Sequence, residues 1–179
     1  MQSGLLYLID TLAGLYLIAI ALRLAMQWVR ADWRNPIVQF VVNVTNPLIV
    51  PLQKILVPIY KLDTATLVVL IALQLALLSL LTWLSLPAMP PFPTLLWAAL
   101  LRSLELILNT YFYVIFGYIL LSWISGGSYN PSLAMLSTML RDIAEPVLAP
   151  VRRVIPPISG FDLSPIFVLI GIQFLLRTL

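Results

Sequence analysis

The chain has 179 residues, of which 61% are hydrophobic and 9% charged, and its formal net charge is +3. A soluble domain is roughly 45–50% apolar and about 25% charged, so this chain has too few polar side chains to cover a water-facing surface, and lipid is the solvent that suits it. With no cysteine and no histidine, it lacks disulfides, thiol nucleophiles, Cys/His zinc centres and imidazole acid–base chemistry.

Four apolar stretches are expected to form spans. The first, about residues 5–28, is longer than the core of a secretory signal. No basic residue precedes it, and Arg23 and Arg30 follow or end it, so it reads as a span inserted with its N-terminus outside. The connection 31–62 carries Arg34, Lys54 and Lys61. Within it Ile37, Phe40, Val41, Val44 and Leu48 share one face of a helical wheel against Gln39, Asn43 and Asn46. The second span covers about residues 64–86, with Asp63 and Thr64 as its cap. The uncharged segment 87–94, Pro87 to Thr94, then breaks the helix with its prolines.

The third span is expected at about residues 103–124, inside a longer apolar run from Leu95. The connection 125–161 carries Arg141, Arg152 and Arg153, and here Leu133, Leu136, Leu140, Ile143 and Val147 fall at helical spacing. The fourth span, about 163–179, is on the short side of the roughly 20 residues that a crossing needs. Both connections read either as amphipathic helices lying at the membrane interface or as helices packed on the end of the bundle. Because the basic residues concentrate in the two long connections, these are expected on the cytoplasmic side, with both termini periplasmic.

The chain reads as two copies of one unit. Trp28, Asn35 and Pro36 match Trp123, Asn130 and Pro131 at the same spacing, and Asp10 and Tyr16 match Glu105 and Tyr111. Pro47, Pro51, Lys54, Pro58, Asp63 and Gln74 match Pro146, Pro150, Arg153, Pro157, Asp162 and Gln173. The expected fold is therefore an all-α membrane protein with about four spans, arranged as two parallel two-span repeats. Residues 1–86 form the first repeat, 87–94 the proline-rich linker and 95–179 the second, and each repeat has a helix in its cytoplasmic loop.

The segment Pro146, Pro150, Arg152, Arg153, Pro156, Pro157, Gly160, Asp162, Ser164 and Pro165, together with the doubled layout, resembles the YggT family of small multi-pass bacterial membrane proteins. The first copy departs from the motif. Gln53-Lys54 stands where the arginine pair would be, Lys61 at the glycine, and Ala65-Thr66 at Ser-Pro. The resemblance implies no established enzymatic reaction. It implies a link to osmotic-stress tolerance and ion homeostasis in bacteria, and among plastid relatives to cytochrome-complex assembly and to nucleoid organisation or division.

Read physically, Pro146, Pro150, Pro156 and Pro157 stiffen the second loop into a path that is not a regular helix. Gly160 permits a tight turn, and Asp162 or Ser164 caps the fourth span with Pro165 in its first turn. Arg152, Arg153, Arg141 and Lys54 are candidates for contact with anionic lipid headgroups or a protein partner; topology signalling alone is the plainer reading. Gln74 and Gln173, both near mid-membrane, are expected to approach each other, or the neighbouring spans, near the pseudo-twofold axis as structural glue, with a polar step in an ion path as the alternative. Asp10, Arg102, Glu105 and Asn109 read as anchors near the outer boundary, with Arg102 and Glu105 able to pair and a transport or proton role as the alternative. Arg23 is expected to snorkel to the cytoplasmic surface. Trp28, Trp33, Trp83, Trp97 and Trp123 read as an aromatic belt.

No GxSxG, HExxH or phosphate-loop motif is present, so no catalytic residue, metal site or cofactor is assigned. The leading functional expectation is a non-catalytic inner-membrane scaffold or assembly factor acting through its cytoplasmic loops. Its expected partners are membrane lipids and a protein or a second copy of the chain, with no direct nucleic-acid contact. The alternative is a channel or transporter component affecting cation (potassium) homeostasis.

Overall fold

The computed structural model describes residues 2–59, 62–124, 130–155 and 162–179. Its six helices follow one another as α1 (Gln2–Val29), α2 (Pro36–Gln53), α3 (Thr64–Ser85), α4 (Phe92–Ile124), α5 (Pro131–Val154) and α6 (Ser164–Thr178). Among the described residues the only extended pairing is an isolated bridge between Ile59 and Leu62.

Three helices are long and apolar enough to cross a membrane: Gly4–Val29 within α1, Thr64–Ser85 and Phe92–Ile124. Between 17% and 28% of the most apolar stretch of each is buried inside the protein, so most of their apolar side chains face outward. Leu8, Leu12, Leu15, Trp83, Trp97 and Phe116 are among those exposed. In water such a surface would aggregate, whereas in lipid it is the ordinary arrangement. The apolar helix α6 has 15 residues, about 22 Å at 1.5 Å per residue, against a hydrocarbon core of about 30 Å.

α1 and α4 are central: α1 packs against α2, α3, α4 and α5, and α4 against α1, α3, α5 and α6. Three apolar clusters fix this arrangement. Leu17, Ile20, Ile49, Val69 and Leu70 join α1, α2 and α3. Ile115, Ala144, Leu148, Val168 and Ile172 join α4, α5 and α6. Ala25, Met26, Val38, Val41, Val114, Met139 and Ile143 join α1 and α2 to α4 and α5 on the loop side.

The helix ends follow local chemistry. α1 closes with the Arg30 N–H on the Gln27 carbonyl (3.1 Å) and the Ala31 N–H on the Met26 carbonyl (2.9 Å). Arg30 has φ 55°, the left-handed position usually given to glycine, and the buried pair Met26 and Ala31 supplies the apolar contact of this C-terminal motif. Asn35 and Asn130 cap α2 and α5 by accepting from the Ile37 and Ser132 N–H groups (2.9 and 3.0 Å), with Pro36 and Pro131 early in the first turn.

The third apolar helix, α4, begins at Phe92 and contains the span expected at about 103–124, so the last residues of the segment 87–94 are already helical. Pro93 lies in the first turn, where its missing N–H costs nothing, and the Pro91 carbonyl accepts from Thr94 and Leu95 (3.0 and 3.2 Å). Pro146 and Pro150 lie inside α5, as Pro47 and Pro51 lie inside α2, and do not form an irregular path. All four rings are exposed, on a side where the freed carbonyls need no protein partner. On α2 the buried face is also rotated from the expected one, whereas on α5 the expected Leu140 and Ile143 are buried and Leu133, Leu136 and Val147 partly buried. α2 buries Val38, Val41, Thr45 and Ile49 and leaves Phe40, Val44 and Leu48 exposed, while α5 buries Met139, Leu140, Ile143, Ala144 and Leu148. Thr45 turns inward because Arg23 of α1 needs its oxygen. Both loop helices thus pack on the bundle.

Candidate functional site

The polar chemistry of the described residues gathers at two levels, one where the loops meet the bundle and one toward the opposite ends of α1, α3 and α4. At the loop level of the first half, Asp63 precedes α3 and is 8% exposed. Its Oδ1 accepts from the Ala65 N–H (3.1 Å) and caps the helix. Its Oδ2 accepts from Gln27 Nε2 (2.9 Å), Gln53 Nε2 (2.6 Å) and the Thr66 hydroxyl (2.7 Å). One carboxylate therefore ties the ends of α1 and α2 to the start of α3. Burial alone would raise its pKa, but the hydrogen bonds from Thr66, Gln53 and Gln27 outweigh that and hold it below the usual carboxylate range.

Arg23 lies beside this cluster. It is 3% exposed and does not snorkel. One guanidinium nitrogen, Nη1, donates to Thr45 Oγ1 (2.9 Å), Asn46 Oδ1 (2.8 Å) and the Val42 carbonyl (3.1 Å), while Nε is buried without a partner. The acceptors are supplied by α2 just before Pro47, so the side chain turns inward, where the sequence reading sends it out.

The second half makes the corresponding join with an ion pair. Arg152 Nε lies 2.6 Å from Asp162 Oδ2 and Nη1 2.6 Å from Glu145 Oε1. Asp162 Oδ1 accepts from the Ser164 N–H (2.9 Å) at the start of α6. In the pairing of the two copies, Arg152 stands at Gln53, Glu145 at Asn46 and Asp162 at Asp63. The bonds from Glu145 and Asp162 raise the Arg152 pKa. The Asp162 carboxyl, though partly desolvated, is lowered by its bonds to Arg152 and Ser164. Because the Asp162 pKa is lowered on folding, its contribution is present above the unfolded value of about 4 and is lost as pH falls through the folded value. With side chains 28% and 30% exposed, the Arg152→Ala and Asp162→Asn pair is expected to show a coupling of about 1 kcal/mol in a double-mutant cycle at pH 7. That coupling should shrink below pH 4 in denaturant-unfolding measurements.

Arg152 is thus engaged within the chain, whereas Arg153, Lys54 and Arg141 are exposed; Arg141 Nε lies 3.9 Å from Asp142. Ser164 and Pro165 are buried at the start of α6. Asn35 also reaches across the protein, its Nδ2 donating to the Met135 carbonyl (2.8 Å). Pro156 and Gly160, together with Lys61 and Pro157, lie outside the described residues.

At the second level, α1, α3 and α4 enclose a cleft of about 380 Å³ lined by Asp10, Gly14, Leu17, Gln74, Leu77, Arg102, Glu105, Leu106 and Asn109. Gln74 is 7% exposed, and its Oε1 is buried without a hydrogen-bond partner. Gln173 is exposed on α6 and does not line this cleft, so the two glutamines do not meet, while Gln74 faces the neighbouring helices α1 and α4. The reason is positional: α3 is flanked by α1 and α4, whereas α6 packs only against α4 and α5. Asp10, Arg102, Glu105 and Asn109, which the sequence singled out as anchors, line this same cleft with Gln74. Among the described residues no ion pair within 4.0 Å joins Arg102 to Glu105 or Asp10. No group of metal-ligating side chains is present among the described residues.

Sequence reasoning missed the contributions of Gln27, Gln53, Thr66 and Thr45. The available signal was a run of amides and hydroxyls placed within reach of a helix-capping aspartate.

The pattern of the CCB3/YggT family matches residues 2–84 and again residues 97–179. An uncharacterised protein of Pseudomonas aeruginosa is 35% identical over 177 residues, covering 98% of this chain and 87% of the relative. The uncharacterised protein YggT of Escherichia coli K12 is 33% identical over 170 residues, covering 94% and 85%. An uncharacterised protein of Haemophilus influenzae is 30% identical over 167 residues, covering 93% and 86%. No solved structure matches. With two matches of its pattern that together span nearly the whole chain, the protein belongs to the CCB3/YggT family.

Proposed function

We propose that the protein is a non-catalytic scaffold or assembly factor of the bacterial inner membrane that works through a rigid cytoplasmic face. In this reading α1, α3, α4 and α6 are four spans in two parallel repeats. The short α6 crosses with local thinning of the bilayer. The basic residues Arg30, Arg34, Lys54, Arg141 and Arg153 set the loops in the cytoplasm, and the termini are periplasmic.

The observation that carries the reading is how firmly the loops are held. α2 and α5 are capped by asparagines, tied to the spans through Asp63 and Arg152, and joined to each other by Asn35 and Met135. A loop face this constrained presents exposed side chains in a fixed pattern: Phe40, Val44, Leu48, Ile55 and Val57 with Lys54 in the first half, Val154 with Arg153 in the second. A preorganised surface of apolar and basic groups loses little entropy on docking a partner.

A photo-crosslinking residue placed at Arg153 and at Lys54 tests this in native membranes. Capture of the same defined protein from both positions is expected, with the capture from the Lys54 position lost when Arg153 is changed to Glu. Capture of lipid alone, with no protein from either position, overturns it.

The alternative, a component affecting cation balance, draws support from the polar cleft. Against a continuous path stand Leu17, Ile20 and Leu70, which pack together below Gln74 and separate the cleft from the Asp63 cluster. Ion flux from purified protein in liposomes would favour this alternative over the scaffold.

A further inference from the structure

We propose that the cleft between α1, α3 and α4 binds a zwitterion bearing a primary ammonium group a few bonds from an anionic group, the chemistry shared by an ethanolamine phospholipid headgroup and by free phosphoethanolamine. This site lies away from the loop face and does not depend on the scaffold reading.

The cleft is graded along its depth. On α4, Glu105 lies about 6 Å and Arg102 about 10 Å further from the loop side than Asn109, at 1.5 Å per residue. On α1, Asp10 is about 10 Å further out than Leu17 by the same measure. The floor is formed by the amides Gln74 and Asn109, the carboxylates Asp10 and Glu105 lie above them, and Arg102 stands at the rim.

The floor offers acceptors that lack donors. Gln74 Oε1 is enclosed and unpaired. Asn109 commits its Nδ2 to the Glu105 carbonyl (3.0 Å), which leaves its side-chain oxygen to accept. A buried acceptor without a donor costs about 1–3 kcal/mol, so a bound N–H group recovers what the empty floor forgoes. Two carboxylates stand within the same cleft and one guanidinium at its edge. A bare metal cation would satisfy the floor but leave Arg102 opposed to it. A zwitterion places its ammonium among Gln74, Asn109, Asp10 and Glu105 and its anionic group on Arg102, whose planar fork suits phosphate.

The requirement for N–H donors selects a primary ammonium over a trimethylated one, because methyl groups cannot satisfy Gln74 Oε1. A volume of about 380 Å³ falls in the range of small-ligand sites, about 300–1,000 Å³.

The test uses the purified full chain in detergent. Phosphatidylethanolamine and phosphatidylcholine with identical acyl chains are compared by native mass spectrometry, and free phosphoethanolamine is added in a parallel thermal-unfolding series. At least fivefold preferential retention of phosphatidylethanolamine identifies a lipid headgroup as the occupant. Stabilisation by free phosphoethanolamine at millimolar concentration, without lipid preference, identifies a soluble zwitterion. Either response is expected to fall at least fivefold in the Glu105→Gln and Gln74→Leu variants and to persist in Trp97→Phe. Equal retention of the two lipids with no response to phosphoethanolamine overturns the proposal, and this result needs only the wild-type protein. A response that survives unchanged in a folded Glu105→Gln variant overturns it as well.

Discussion

Asp63→Ala is expected to lower stability by about 3 kcal/mol. The carboxylate accepts four hydrogen bonds from three separate helices. Its removal uncaps α3, worth about 1 kcal/mol, takes the acceptor from the partly buried Gln27 amide and leaves the buried Thr66 hydroxyl only its longer bond to Gln27 Oε1 (3.2 Å). Gln53 is exposed and recovers solvent contacts, which keeps the total below the sum of four separate bonds. Asp63→Asn keeps the cap and one acceptor, so about half the loss is expected. Because folding lowers the Asp63 pKa, the wild-type protein should lose stability as pH falls below about 4 and approaches the folded value, and the Asn variant should lose less over that window. Denaturant unfolding followed by tryptophan fluorescence checks both points. A loss under 1 kcal/mol for the Ala variant would show that Asp63 does not hold the three helices together.

Arg23→Ala is expected to cost about 3 kcal/mol or slightly more, for a different reason. The side chain is enclosed between α1 and α2, and its loss opens a void and strips a donor from Thr45, Asn46 and the Val42 carbonyl. Arg23→Met separates the contributions. Methionine refills most of the volume and removes the cost of a buried charge whose Nε has no partner, so about half the loss is expected. If Met and Ala cost the same, packing is not part of the Arg23 contribution. If Met costs nothing, the three hydrogen bonds only offset the desolvation of the guanidinium.

Features written by neighbouring residues were legible before any coordinates. The apolar spacing after Asn35-Pro36 and Asn130-Pro131 announces two helices, Asp63 the cap of a third, and Leu5–Trp28 and Thr64–Leu86 two apolar helices, because periodicity, capping and apolar length depend on a few consecutive side chains. The fates of Arg23 and Gln74 were not legible. An arginine five residues from a helix end looks able to reach the surface, and only the packing of α2 across α1 offers it Thr45 and Asn46. Gln74 and Gln173 occupy matching positions in the two copies, yet one is buried and the other exposed. Their surroundings are set by which helices pack beside α3 and α6, not by the residues flanking them. The convergence of Asp10, Gln74, Arg102, Glu105 and Asn109 has the same origin. Each is conspicuous alone, and only the adjacency of three helices makes them one site.

The join between Asn35 and the Met135 carbonyl sets an order on how the chain is made. The two residues are 100 positions apart, and a ribosome adding about 5–20 residues per second takes roughly 5–20 seconds to cover that distance. Until then Ala25, Met26, Val38 and Val41 have neither Met139 nor Ile143 to rest on, and Val114 is made only shortly before. The newborn first half therefore waits with an uncovered apolar seam at its loop side, and during that interval something other than the rest of the same polypeptide must shield it.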